Sequence, residues 1–210
     1  MYLSRLQLKN NQKFNPNKEI NLRDYHAWVE TAFPEEIEKG IRSRKLWRID
    51  RIANEDYLLI VSKDKPDLAS LESHGVQGTA KTLDYDKFLN SLEEGKRLQF
   101  KITLTPTKSV ATGDSNQPRG KVVRLKTEAE QKAYLIDRAE KNGFLVNEDD
   151  MMITKTQYGL KKVKGDKKHY AYQVTYDGHL TITDVDKFKD VLVNGLGKNK
   201  AYGCGLMTVI

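Results

Sequence analysis

The chain has 210 residues, enough for one large domain or two small ones. It carries 36 Lys and Arg against 29 Asp and Glu, for a net charge of +7 and a pI near 9.2. The basic balance points to a polyanionic partner. One cysteine excludes a disulfide framework, and the absence of a long apolar run excludes a spanning helix. With no signal-peptide pattern after Met1, the expectation is a cytoplasmic protein with no membrane partner.

Tyr2 to Lys9 alternates as a strand, with Tyr2, Leu6 and Leu8 on one face and Arg5 and Gln7 on the other. A polar loop over Asn10 to Lys18 follows. A helix capped by Asn21 or Asp24 then presents Tyr25, Trp28, Val29, Ala32 and Phe33 as an apolar stripe ended by Pro34, with His26 at its edge. Leu46 to Arg51 and Tyr57 to Ser62 read as a hairpin turned by Ala53 to Asp56. A short helix after Pro66 and a strand over Lys81 to Tyr85 complete a β-α-β-β-α-β half, although Tyr85 to Glu94 also suits a helix.

The second half repeats the order. Leu98 to Leu104 is a strand with Phe100, Ile102 and Leu104 on one face, and Thr105 to Lys121 is a loop. Thr127 and Glu130 form a capping box that opens a helix ending at Asn142-Gly143. Phe144 to Val146 and Tyr170 to Tyr176 read as strands around a lysine-rich connection, and Asp177-Gly178 turns the chain into Leu180 to Ile182. A last helix, Asp184 to Asn194, leads through a glycine loop to a terminal strand. The expectation is an α+β fold of two tandem ferredoxin-like (βαββαβ, RRM-like) domains, residues 1–94 and 95–210.

Positive charge clusters in Gly95 to Lys126, in Lys155 to Lys168, and in Arg42, Arg44, Lys45, Arg48 and Arg51. Any one of these runs can be a solvated face; three of them, with the glycine loop, favour nucleic acid. The candidate nucleic-acid-binding residues are Gly195, Gly197, Lys198, Lys200 and Gly203 of the loop, Lys161, Lys162, Lys164, Lys167 and Lys168 of the lysine-rich connection, read as a protruding two-stranded ribbon, and Arg119, Lys121 and Arg124. Glycine lets a backbone approach a ligand closely, and it equally lets a last strand enter a crowded core. Trp28 and Trp47 read as core. Glu148, Asp149 and Asp150 read as a solvated turn without the spacing of a two-metal site, so no metal and no cofactor are expected.

With these pieces placed, the chain resembles the CasE family of CRISPR repeat endoribonucleases, the Cascade type of the RAMP superfamily. The resemblance rests on Met1-Tyr2-Leu3-Ser4, His26 followed by Phe33-Pro34, Leu46-Trp47-Arg48, Gln131 with Tyr134-Leu135, and Gly143-Phe144. It continues through Asp177-Gly178-His179-Leu180-Thr181-Ile182 and closes on Gly195-Leu196-Gly197 with Lys200 to Leu206. It implies two ferredoxin-like domains side by side and metal-independent cleavage of a precursor transcript at the CRISPR repeat stem-loop. It further implies retention of the mature crRNA, assembly with other Cascade subunits, and a monomer when free. The family's catalytic histidine carries over to His26. Many members have a tyrosine three residues earlier; this chain has Arg23 there and Tyr25 nearby, so the second catalytic role stays open between those two. A non-cleaving RNA-binding scaffold of the same fold is the alternative.

Overall fold

The computed structural model describes residues 1–9, 20–111, 120–164 and 167–210. The loop expected over Asn10 to Lys18 and the candidate Arg119 lie outside the described residues. The elements are β1 (Tyr2–Gln7), β2 (Ile20–Asn21), α1 (Leu22–Thr31), α2 (Pro34–Glu38), β3 (Lys45–Ile52), β4 (Glu55–Ser62), α3 (Leu68–Glu72), β5 (Lys81–Asp84) and α4 (Asp86–Leu89). They continue as β6 (Arg97–Leu104), β7 (Thr107–Val110), β8 (Lys121–Arg124), α5 (Glu128–Lys141), β9 (Phe144–Leu145), β10 (Met151–Lys164), β11 (Lys167–Ile182), α6 (Val185–Asn194) and β12 (Met207–Val209).

Alternation in β1 buries Leu6 and leaves Arg5 exposed, so the strand can lie between two neighbours with one face on a core. The first sheet runs β3-β4-β1-β5, antiparallel throughout, with α1 and α3 as the connecting helices. That is the strand order of a ferredoxin-like unit. The β3–β4 hairpin is tighter than the sequence suggests. Ile52 pairs with Glu55, so only Ala53 and Asn54 turn the chain, both at positive φ (48° and 70°) as a type I′ turn needs. Asn21 occupies the N-cap of α1, and Pro34 ends that helix by opening α2.

The second sheet runs β12-β6-β11-β10-β2, again ferredoxin-like through its first four members. The fifth comes from the other half: β2 pairs in parallel with Gly159 and Leu160 of β10, which seats the start of α1 against the second sheet. In β6, Phe100, Ile102 and Leu104 are buried as expected, and the Thr127–Glu130 capping box opens α5.

Three expectations are corrected. Asp177-Gly178 is not a turn: β11 runs straight through it, with Asp177 beside Lys101 on one side and Met152 on the other. A turn pair held between two partner strands stays extended. Gly178 is there because a Cβ would strike the Asp150 carbonyl. The lysine-rich segment is the two-stranded ribbon expected, but it is more than a connection between strands. It is the far end of the two long strands themselves, β10 of 14 residues and β11 of 16. The segment after Thr105 is not all loop, since β7 and β8 form an antiparallel pair.

One apolar core joins both halves, with Leu46, Leu59 and Val61 from the first sheet packed among Phe100, Ile102, Leu104, Tyr176, Phe188 and Leu206. A second fills the space under α1, around Leu6, Leu22, Trp28, Trp47, Leu58 and Leu71. No helix among the described residues is long and apolar enough to cross a membrane.

Candidate active site

α1 turns Trp28 and Val29 into the core, which leaves His26 on the flank, half-buried with 23% of its side chain exposed. Three groups surround the ring. Arg42, in the loop after α2, places Nη2 2.8 Å from Nε2. Glu30, one helical turn on, places Oε1 3.8 Å from Nδ1. The Tyr202 ring lies 5.9 Å away, centre to centre. A guanidinium only donates, so Nε2 accepts and the neutral imidazole carries its proton on Nδ1, facing Glu30.

Glu30 holds more than the histidine. Its Oε2 accepts from Arg42 Nε at 3.1 Å and from Lys45 Nζ at 3.3 Å. The Lys45 ammonium is buried, 2.5 Å from Glu36 Oε2 and 4.7 Å above the Phe33 ring. Burial pulls the His26 pKa below the ordinary 6.5; the Glu30 carboxylate pushes back, while Arg42 and Lys45 add to the lowering.

Tyr202 reaches the site through the glycine loop. After α6 the chain makes a 3₁₀ turn over Lys200–Tyr202, held by Trp47 Nε1 on the Ala201 carbonyl (3.2 Å) and Gln173 Nε2 on the Tyr202 carbonyl (2.8 Å). Gly203 sits at φ 73°, where a Cβ would lie 3.0 Å from the Trp47 ring. Its smallness therefore serves the seating of the turn on the first sheet. Gly195 likewise packs on Leu46. Gly197 (φ 80°) and Lys198 are exposed at the loop's outer edge. Lys200 turns back, donating to the Asn194 carbonyl at 2.7 Å; burial lowers its pKa, Arg44 adds to that and Asp190 opposes it.

The base of the ribbon also arrives here. Lys161 Nζ is 3.4 Å from Asn199 Oδ1 and 5.8 Å from the Tyr202 ring centre. Lys162, Lys164, Lys167 and Lys168 are exposed further out. Arg124 and Lys121 lie on β8, with Arg124 5.2 Å from the Tyr158 ring. Tyr158 pairs with Tyr172, whose hydroxyl accepts from Gln131 of α5, so Arg124 sits on the α5 side of the sheet, opposite the Gln173 face that meets Tyr202.

Of the two candidates for the second catalytic role, Arg23 is exposed in the first turn of α1, three residues before His26 and on its side of the helix. Tyr25 faces inward, its ring 6.0 Å from Trp28 and 5.8 Å from Trp47. Burial, then Asp56, raises its hydroxyl to about 12. Sequence reasoning missed Glu30, Arg42 and Tyr202. The first had a signal in its spacing of four from His26; the others are brought in by tertiary structure. Among the described residues, no three His, Cys, Asp or Glu side chains gather as a metal-binding group.

A family model described as "CRISPR associated protein" matches residues 1–210. The chain belongs to that family. It is 28% identical over 220 residues to the CRISPR-associated endoribonuclease Cse3 of Thermus thermophilus, covering 100% of this chain and 99% of the relative. It is 30% identical over 124 residues to the CRISPR system Cascade subunit CasE of Escherichia coli, covering 56% and 60%. The structure of Cse3 bound to a 19-nucleotide RNA superposes with a TM-score of 0.78 at 26% identity, with all of each chain covered. This family member therefore has the tandem ferredoxin-like fold of an RNA-bound endoribonuclease.

Proposed function

We propose that this CRISPR-associated protein is a metal-independent endoribonuclease that cuts precursor CRISPR RNA at the repeat stem-loop and stays on the product as a Cascade subunit. One observation carries the reading: the imidazole of the first helix and the carboxyl-terminal loop meet, His26 against Tyr202, with Arg42 beside the imidazole and Lys161 beside Tyr202. The likeness to Cse3 over the whole chain supports the substrate class.

In the reaction the 2′-OH attacks the adjacent phosphorus in line and the P–O5′ bond breaks. The products are a 2′,3′-cyclic phosphate and a 5′-OH, and the 2′-OH proton ends, directly or by relay, on the departing O5′. Nε2 accepts from the Arg42 guanidinium and so carries no proton, and burial lowers the ring's pKa further in that direction, so His26 Nε2 is the base that receives the 2′-OH proton. Arg42, which shares that nitrogen in the free protein, moves to the phosphate and neutralises the pentacoordinate charge. The exposed lysines of the ribbon hold the stem.

The test is single-turnover cleavage of a repeat stem-loop in excess chelator, with end-group analysis. The wild type yields cyclic phosphate and 5′-OH ends, while His26→Ala is slower by about 10²- to 10⁴-fold at near-unchanged affinity. Equal rates remove His26 from the mechanism; tight binding without cutting by the wild type leaves an RNA scaffold.

A further inference from the structure

We infer that Glu30 is the positioning residue of this site, and that it sets both the orientation of His26 and the resting place of Arg42. The inference rests on the proposed role of His26 as a base, and it adds a latch that RNA itself opens. The Glu30 carboxylate divides its oxygens between two partners: Oε1 faces His26 Nδ1 at 3.8 Å, and Oε2 accepts from Arg42 Nε at 3.1 Å. The first separation is too long for a hydrogen bond, so Glu30 acts on the neutral ring through its charge, which favours the Nδ1–H tautomer. The second leaves Arg42 Nη2 free to close on Nε2 at 2.8 Å.

His26, Glu30 and Arg42 thus form a closed triangle in which the working nitrogen is covered by the cation that the phosphate needs. A scissile phosphate offers Arg42 a better acceptor than a neutral imidazole. Once it moves, Nε2 is exposed to the 2′-OH while Glu30 keeps the ring turned. Base and cation are released in one event, and only when a phosphate is present.

The groups facing the ring come from four elements: Glu30 on α1, Arg42 after α2, Lys45 on β3, and Tyr202 from the carboxyl-terminal turn; exposed Arg23 lies one turn back on α1. Lys45 is held by Glu36 as well as Glu30, so an isosteric change at Glu30 does not strand it. Glu30→Gln removes the only anion among them, and Arg42→Ala removes the nearest cation. The two variants must therefore move the His26 titration in opposite directions.

The experiment is a proton–nitrogen-15 NMR titration of the histidine rings in the free, full-length protein, with His26 assigned as the signal lost in His26→Ala. The wild type should show the Nδ1–H tautomer. Glu30→Gln should lower the His26 pKa. Arg42→Ala should raise it and keep the tautomer, now held by Glu30 alone. In single-turnover cleavage Glu30→Gln should lose about 10- to 100-fold in rate at unchanged affinity, the scale of carboxylates that orient metal-bound histidines, and Glu30→Asp should recover part of it. A Glu30→Gln protein whose His26 titrates as in the wild type, or an Arg42→Ala protein in the Nε2–H tautomer, overturns the arrangement. Should His26→Ala cut as fast as the wild type, the base assignment falls while the titrations still decide what Glu30 does.

Discussion

At the scale of single residues, the five cations Arg42, Arg44, Lys45, Arg48 and Arg51 show how far sequence reading reaches. As a run they form one basic cluster. In the fold they part: Arg42 covers His26, Arg44 stays exposed near Lys200, and Arg51 bonds Asn54 at the hairpin tip, while Lys45 and Arg48 are buried. Alternation in a strand sends neighbours to opposite faces, but it does not say which charge meets a buried carboxylate. His26 was legible because its spacing to Phe33-Pro34 is local. Arg42 was not, since its meeting with His26 depends on how α2 folds back.

The buried pair Lys45–Glu36 makes a prediction about acid. Burial alone would raise the Glu36 carboxyl, but hydrogen bonds from Lys45 and Ser43 outweigh it and hold the pKa at about 2, against an ordinary 4.5. A depressed carboxyl adds stability that is complete above about 4.5 and fades as pH falls toward about 2. Glu36→Gln should therefore lower the unfolding free energy at pH 7 by roughly 3 kcal/mol, and should lose less than the wild type on going from pH 7 to about 3. Denaturant titrations at the two pH values check both. Parallel acid losses in the two proteins would assign the wild type's sensitivity to other carboxylates.

Among the elements, those whose signals are local and agree with their surroundings were legible. α5 has its capping box, and Phe100, Ile102 and Leu104 alternate inward. The misreading of Asp177-Gly178 has the opposite cause. A strong local turn pair was overruled by two partner strands, information that no window of sequence holds. The same strand pairing makes β10 and β11 a ribbon that carries its lysines beyond the body of the sheet. If Lys161, Lys162 and Lys164 lie along phosphates, changing all three to alanine should weaken stem-loop binding. The slope of log affinity against log salt should become shallower by about 2 to 3. Filter binding across a salt series measures this. Weaker binding with an unaltered slope would make these lysines a solvated face.

For the whole molecule, the question is what keeps two halves in register when the site draws on both. α1 comes from the first half and the turn carrying Tyr202 from the last residues, so small shifts between the sheets separate His26 from its surroundings. The shared apolar core supplies adhesion without direction. Direction comes from Arg48 of β3. Its guanidinium takes both oxygens of Asp50 at 2.6 Å, and it donates at 2.7 Å to the carbonyls of Lys101 and Leu206 and to Thr208 Oγ1, all on or beside β6 and β12. Five planar donors with five acceptors fix an angle as well as a distance, which a lysine cannot do. Arg48→Ala leaves the buried Asp50 carboxylate without its guanidinium, so unfolding should become easier by about 3–5 kcal/mol. Arg48→Lys should fall between that variant and the wild type. Because the contact spans the sheets, amide exchange at Thr208 of β12, which pairs with Lys101 of β6, should accelerate in Arg48→Ala before that at Leu6 of β1. Exchange that rises equally at both would show the two halves opening as one unit, with the apolar core rather than Arg48 holding the site in register.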